Sequence, residues 1–137
     1  MMDEFIFPLR VYTEDTDYGG VVYHANYLSY FERGRSEWME SLGFTVEWFR
    51  EQGVYFAVRY AKMDYLKPAR LHQNLEVVSR IVELRPASIV YEQYLRLKDI
   101  KDTILCKAEI KIACVGIDFK PKILPEQINK LINGERA

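Results

Sequence analysis

The chain has little of what would staple, anchor or charge a fold. Its 137 residues include two cysteines, two histidines, five prolines and seven glycines. Cys106 and Cys114 are eight residues apart. On one strand they share a face, and at roughly 3.3 Å per residue they sit too far apart to bridge. They read as buried free thiols of a reducing compartment. With two histidines and no ligand-type spacing, no metal centre is expected. No apolar run approaches the roughly 20 residues that cross a bilayer. The start, MMDEFIFPLR, lacks the basic end and apolar centre of a signal peptide. The expectation is a soluble, cytoplasmic protein with no membrane span. A formal net charge of -1, without a basic stripe, argues against nucleic acid as the main partner.

What the chain does have is apolar mass: 49% hydrophobic and 14% aromatic residues. That composition excludes disorder, and the length suffices for one domain, 1–137, with its own core. Phe5, Phe7, Leu9 and Val11 alternate with Ile6, Pro8, Arg10 and Tyr12, as in a strand. A long helix follows from Asn26, a capping type, to Gly43, a natural stop. Its stripe is Tyr27, Phe31, Trp38 and Leu42, with Leu28 and Met39 alongside. Gly34 lies in that stripe, so another element should approach closely there. A short helix, capped by Thr45 and closed by Gly53, comes next. Then the period turns to two. Strands are read over 54–66, 75–84, 88–98 and 104–114, with a turn at Arg85-Pro86, and Pro125 opens a last short helix. The 75–84 strand is apolar on both sides. The order β–α–α–β–β–β–β–α gives an α+β layer, one helix on a mostly antiparallel five-stranded sheet. The other sheet face is expected to pair with a second subunit.

The stretch between the first strand and the long helix carries the chemistry. Glu14, Asp15, Asp17, Gly19 and Gly20 form an acidic, glycine-rich turn ahead of a helix N-terminus. Free N–H groups and the dipole there favour negative charge. They can hold a resident carboxylate or the oxyanion of a reacting carbonyl. With a carbonyl oxygen on the amides near His24, Asp17 becomes general base or nucleophile for acyl hydrolysis. A calcium loop fails here, because Gly19 and Asn26 fall where oxygen ligands belong. Glu14 and Asp15 read as structural or solvated. His24 offers a backbone amide, with its imidazole orienting Asp17 or water. Glu37, a helical carboxylate, is the rival acid, although Arg33 four residues earlier suits an ordinary surface pair. His72 reads as a surface residue.

EDTDYGGVVYHANYLSYFERGRSE, together with FAVR and YLKPAR at 56–59 and 65–70, resembles the 4-hydroxybenzoyl-CoA thioesterase-like hot-dog enzymes. Within them it is similar to the YbgC-like acyl-CoA thioesterases, along nearly the whole chain. The resemblance implies a hot-dog fold, a long helix wrapped by a curved sheet. It implies a homo-oligomer, dimer or tetramer, with active sites at the subunit boundary. It implies acyl-CoA as substrate with no cofactor, Asp17 as the catalytic carboxylate, His24 as the amide that polarises the thioester, and Tyr27 as the closing aromatic. Gly20 and Val22 belong to the same motif and are expected along the substrate. Arg85 and Ser88 match positions near the CoA phosphates. Lys67 and Arg70 are either a phosphate rim or solvated cations. The resemblance also suggests a place in envelope and lipid metabolism. Rival readings are a hot-dog dehydratase or hydratase on acyl thioesters, and a non-enzymatic module for acyl carrier protein or lipid-synthesis enzymes.

Overall fold

The computed structural model describes residues 3–133. Five strands form one antiparallel sheet: β1 (Phe5–Arg10), β2 (Tyr55–Tyr65), β3 (Asn74–Arg85), β4 (Ser88–Leu97) and β5 (Ile104–Val115), in the order β1-β3-β4-β5-β2. Helix α1 (Asn26–Ser41) lies over the β1–β3 side, α2 (Val46–Glu51) follows it, and α3 (Glu126–Ile132) closes the described chain. Gly134, the end of the last expected helix, lies outside the described residues.

The alternation along the strands explains the layering. Val77, Tyr91, Leu95, Cys106 and Ile110 all turn toward α1 and are buried. Phe5 stacks on Trp38 across the β1–α1 contact, with 5.9 Å between ring centroids. Gly34 is required where it stands. A Cβ there would come within 2.6 Å of Val77 Cγ1, which is inside van der Waals contact. Thr45 caps α2 as expected, its hydroxyl oxygen accepting the Trp48 amide at 3.1 Å.

Four expectations need correction. Asn26 is the first helical residue rather than the cap; Ala25 precedes it without a side-chain bond, and the Asn26 amide reaches back to Asp15. The helix stripe runs through Tyr30, which is fully buried, while Leu28 is exposed. Arg33 makes no ion pair with Glu37 among the described residues and lies instead over the Tyr30 ring. The sheet face away from α1 is not an open apolar surface. Val78 and Val90 are buried there, but ion pairs surround them: Glu76 with Arg96 and Lys101, Arg80 with Glu92, and Lys62 with Glu109. The uncovered apolar surface is on the helix side of β2. Phe56, Val58 and Tyr65 share that face with buried Cys114, Ile112 and Cys106 of β5, yet stay exposed although Phe56 meets Phe49 of α2 and Tyr65 meets Tyr27 of α1. The outer edge of β2 has no partner strand among the described residues.

Candidate active site

The acidic turn is a small hairpin. Asp17 donates its amide to Val21 O (2.8 Å), Thr16 pairs with Val22, and Tyr23 donates to Asp15 O (2.9 Å). The tip closes through Gly20 N–H to Asp17 O, and Gly20 has φ +79°. A β-branched side chain is strained in that conformation. Asp17 is exposed at this tip. Its Oδ1 accepts the Gly19 amide at 2.8 Å, and Oδ2 meets no donor among the described residues.

The hairpin hands the chain straight to α1, and the backbone there is held open. Among the described residues the amides of His24, Ala25 and Tyr27 meet no acceptor. The peptide planes that carry the first two are pinned through their carbonyls. Tyr23 O accepts the Asn26 amide at 2.8 Å, which fixes the plane of the His24 N–H. His24 O accepts the Tyr65 hydroxyl at 2.9 Å, which fixes the plane of the Ala25 N–H. Oriented, unfilled donors at a helix start form an anion site that needs no rearrangement when charge develops.

The 66–73 loop braces the hairpin from the side. Val22 donates its amide to Ala69 O (2.8 Å), and Val21 pairs with Arg70. Tyr27 is buried, and its phenol oxygen accepts the Ala69 amide at 3.0 Å. Burial pushes the Tyr27 phenol up. Tyr27 therefore holds the loop, and Val22 is buried in the core. Lys67 and Arg70 are exposed on this loop, beside the hairpin. His24 is exposed between the rings of Tyr23 (centroids 4.5 Å apart) and Tyr65 (6.5 Å).

Arg85 and Ser88 are not part of this cluster. They form the β3–β4 turn, whereas the hairpin adjoins the Asn74 end of β3. Ten residues separate Leu75 from Arg85, about 33 Å of strand. Arg85 is bound to Glu83 at 2.7 Å. Glu37 is exposed on α1, roughly 16 Å along the axis from its first residue. Burial pushes the Cys106 thiol up to about 12 and raises Cys114 as well, so both are inert as nucleophiles. His72 is exposed, as expected.

Tyr65 escaped the sequence reading. Its signal was present: it closes a strand whose helix-side parity is Phe56, Ala61, Met63, Tyr65. Gln93 was missed too. It is buried among apolar neighbours and bonds Phe31 O, Ser79 Oγ and Arg35, tying α1 to the sheet.

The arrangement is a carboxylate with one free oxygen beside oriented free amides. The family model of the thioesterase-like superfamily matches residues 11–131. The chain belongs to the thioesterase-like superfamily. Among relatives in it, the acyl-CoA thioesterase YbgC of Haemophilus influenzae is 42% identical over 131 residues, covering 93% of this chain and 94% of that protein. The acyl-CoA thioester hydrolase YbgC of Escherichia coli O6:H1 is 40% identical over 125 residues, 90% and 92% of the two chains. A probable thioesterase from Bartonella henselae superimposes with a TM-score of 0.83 at 36% identity, over 90% of this chain and all of that one. The hot-dog expectation holds for this thioesterase-like chain: one long helix lies across an antiparallel five-stranded sheet.

Proposed function

We propose that the chain hydrolyses acyl-CoA thioesters to free acid and CoA. The observation that carries this reading is the pairing of exposed Asp17, one carboxylate oxygen unengaged, with the unfilled amides of His24 and Ala25. The thioester carbonyl oxygen takes those amides. Asp17 either removes a proton from the attacking water or attacks the carbon itself. The C–S bond breaks and CoA leaves as thiolate, a fair leaving group since thiols ionise near pH 8.5. The exposed helix side of β2, with Phe56, Val58 and Tyr65, offers the apolar surface along which an acyl group lies. Lys67 and Arg70 on the neighbouring loop suit the phosphates of CoA.

A second copy of the chain belongs to this reading. The bare edge of β2 and its exposed apolar side ask for cover. Antiparallel self-pairing along β2 sets the Tyr55 end of one copy beside the Tyr65 end of the other. The Arg85–Ser88 turn lies at the Tyr55 end, two strands in from the edge, so this pairing carries it toward the other copy's hairpin. A homodimer with Arg85 and Ser88 acting across the boundary follows, and buried free thiols fit the cytoplasm.

A thiol-release assay across acyl-CoA substrates of varied chain tests the function. Free CoA thiol from at least one substrate is expected. Hydration of enoyl-CoA with no thiol release from any substrate would replace the reading with a hydratase. Sedimentation at micromolar concentration should show a dimer or tetramer.

A further inference from the structure

Asp15 is a buried acid that the hydrolytic step does not use. Only 4% of its surface is exposed, and a carboxylate is not buried without cause. Its Oδ2 accepts the Tyr12 amide at 2.8 Å, two residues past β1. Its Oδ1 accepts the Asn26 side-chain amide at 3.2 Å, at the first residue of α1. Its backbone oxygen accepts the Tyr23 amide at 2.9 Å. The Tyr30 hydroxyl beside it is buried and meets no hydrogen-bond partner among the described residues. Burial, and then the Asp15 charge, raise that phenol, so it stays neutral and adds no competing charge.

Tyr23 and Asn26 are the two residues that orient the His24 peptide plane, through the Asn26 amide on Tyr23 O. Asp15 grips both, one through its backbone and one through its side chain, and ties them to β1. We propose that Asp15 is a positioning residue: it fixes the His24 N–H, and with it the oxyanion site, relative to Asp17 on the same hairpin. The proposal rests on the thioesterase reading above. It gives Asp15 no contact with substrate. Without the carboxylate the helix start is free to slip against the hairpin, and misplacement of about 1 Å at a reacting centre costs on the order of 100-fold in rate.

The test is a polarity swap. Asp15→Asn keeps the size but turns an NH2 toward one of two donors, the Tyr12 amide or the Asn26 side chain. On an acyl-CoA that the parent hydrolyses, its kcat is expected to fall about 10- to 100-fold with KM within about threefold. In the double variant Asp15→Asn/Asn26→Asp, the side-chain amide at position 15 again accepts from Tyr12 and now donates to the carboxylate introduced at position 26. Its kcat is expected to return to within about fivefold of the parent. A merely structural Asp15 would change melting temperature without this split of kcat from KM and without rescue. The proposal is overturned if Asp15→Asn keeps kcat within threefold of the parent, or if the swap does no better than the single variant while both keep the parent's circular dichroism and oligomer size. Should Asp15→Asn not fold, Asn26→Ala removes only the helix-side link, and an unchanged kcat there overturns the proposal as well. Asp17→Asn separates the two levels. If it stays as active as the parent, the hydrolytic reading of the hairpin fails. If it is dead while the Asp15 series is normal, only the positioning role fails.

Discussion

The outer face of the sheet and the hairpin at its edge treat their polar groups in opposite ways. On the outer face charges are matched: Glu76 holds Arg96 and Lys101, Arg80 holds Glu92, Lys62 and the Tyr60 hydroxyl hold Glu109, and Arg85 holds Glu83. At the hairpin, Asp17 keeps one oxygen free, and the amides of His24, Ala25 and Tyr27 are unfilled among the described residues. Both regions are well ordered by hydrogen bonds, so looseness is not the difference. The outer face uses its bonds to close itself. The hairpin directs them to carbonyls, from Asn26 to Tyr23 O and from Tyr65 to His24 O, and so holds peptide planes whose own N–H groups stay unfilled among the described residues. Incomplete pairing inside a rigid frame marks the place where a ligand completes the set.

Three substitutions break or sharpen this contrast, in falling order of effect. Gly20→Val forces a β-branched residue to φ +79° and should distort the tip that presents Asp17. Steady-state assays should find kcat reduced about 100-fold, with the overall fold kept by circular dichroism. On the outer face, Glu76→Gln should do the reverse, costing about 2 kcal/mol of stability at neutral pH and leaving kcat unchanged. Burial alone would raise the Glu76 carboxyl, but the hydrogen bonds from Lys101 and Arg96 outweigh it and hold it below its ordinary value. A depressed carboxylate stabilises the fold above its unfolded pKa, near 4.5, and that contribution is lost as the pH falls further. The gap in melting temperature between parent and Glu76→Gln should therefore be full above about pH 5 and close under more acid conditions. Arg85→Gln should raise KM about fivefold with kcat unchanged, if the turn meets CoA phosphates across a dimer boundary. An unchanged KM would remove Arg85 from the site.

Much of the fold was legible because local signals agreed. The alternation over 104–114 survives as β5, Thr45 and Gly53 bracket α2, and Gly34 marks the contact with Val77. Two kinds of feature were not legible. Val22 and Tyr27 stand in the motif beside Asp17, but adjacency in sequence does not say which way a side chain turns; the 66–73 loop buries both. Arg85 and Ser88 were read as lying near the CoA phosphates, and within one chain a strand length divides them from the hairpin. Asp15 and Tyr65 act through bonds to residues 11 and 41 positions away, which no local pattern announces. The outer face reads as half apolar from Val78 and Val90, yet the neighbouring strands supply the charges that close it.

The central claim is that the open hairpin, and not the helical acid, performs the hydrolysis. The most direct test measures thiol release by Asp17→Asn beside Glu37→Gln, on an acyl-CoA that the parent hydrolyses, with fold and oligomer size verified for both. Asp17→Asn keeps the volume and the bond to Gly19 but cannot accept a proton or attack well. The account predicts that its kcat falls at least about 100-fold, with KM little changed, while Glu37→Gln stays within a few-fold of the parent. Asp17→Asn near parental activity with Glu37→Gln inactive would contradict it and move the chemistry to α1.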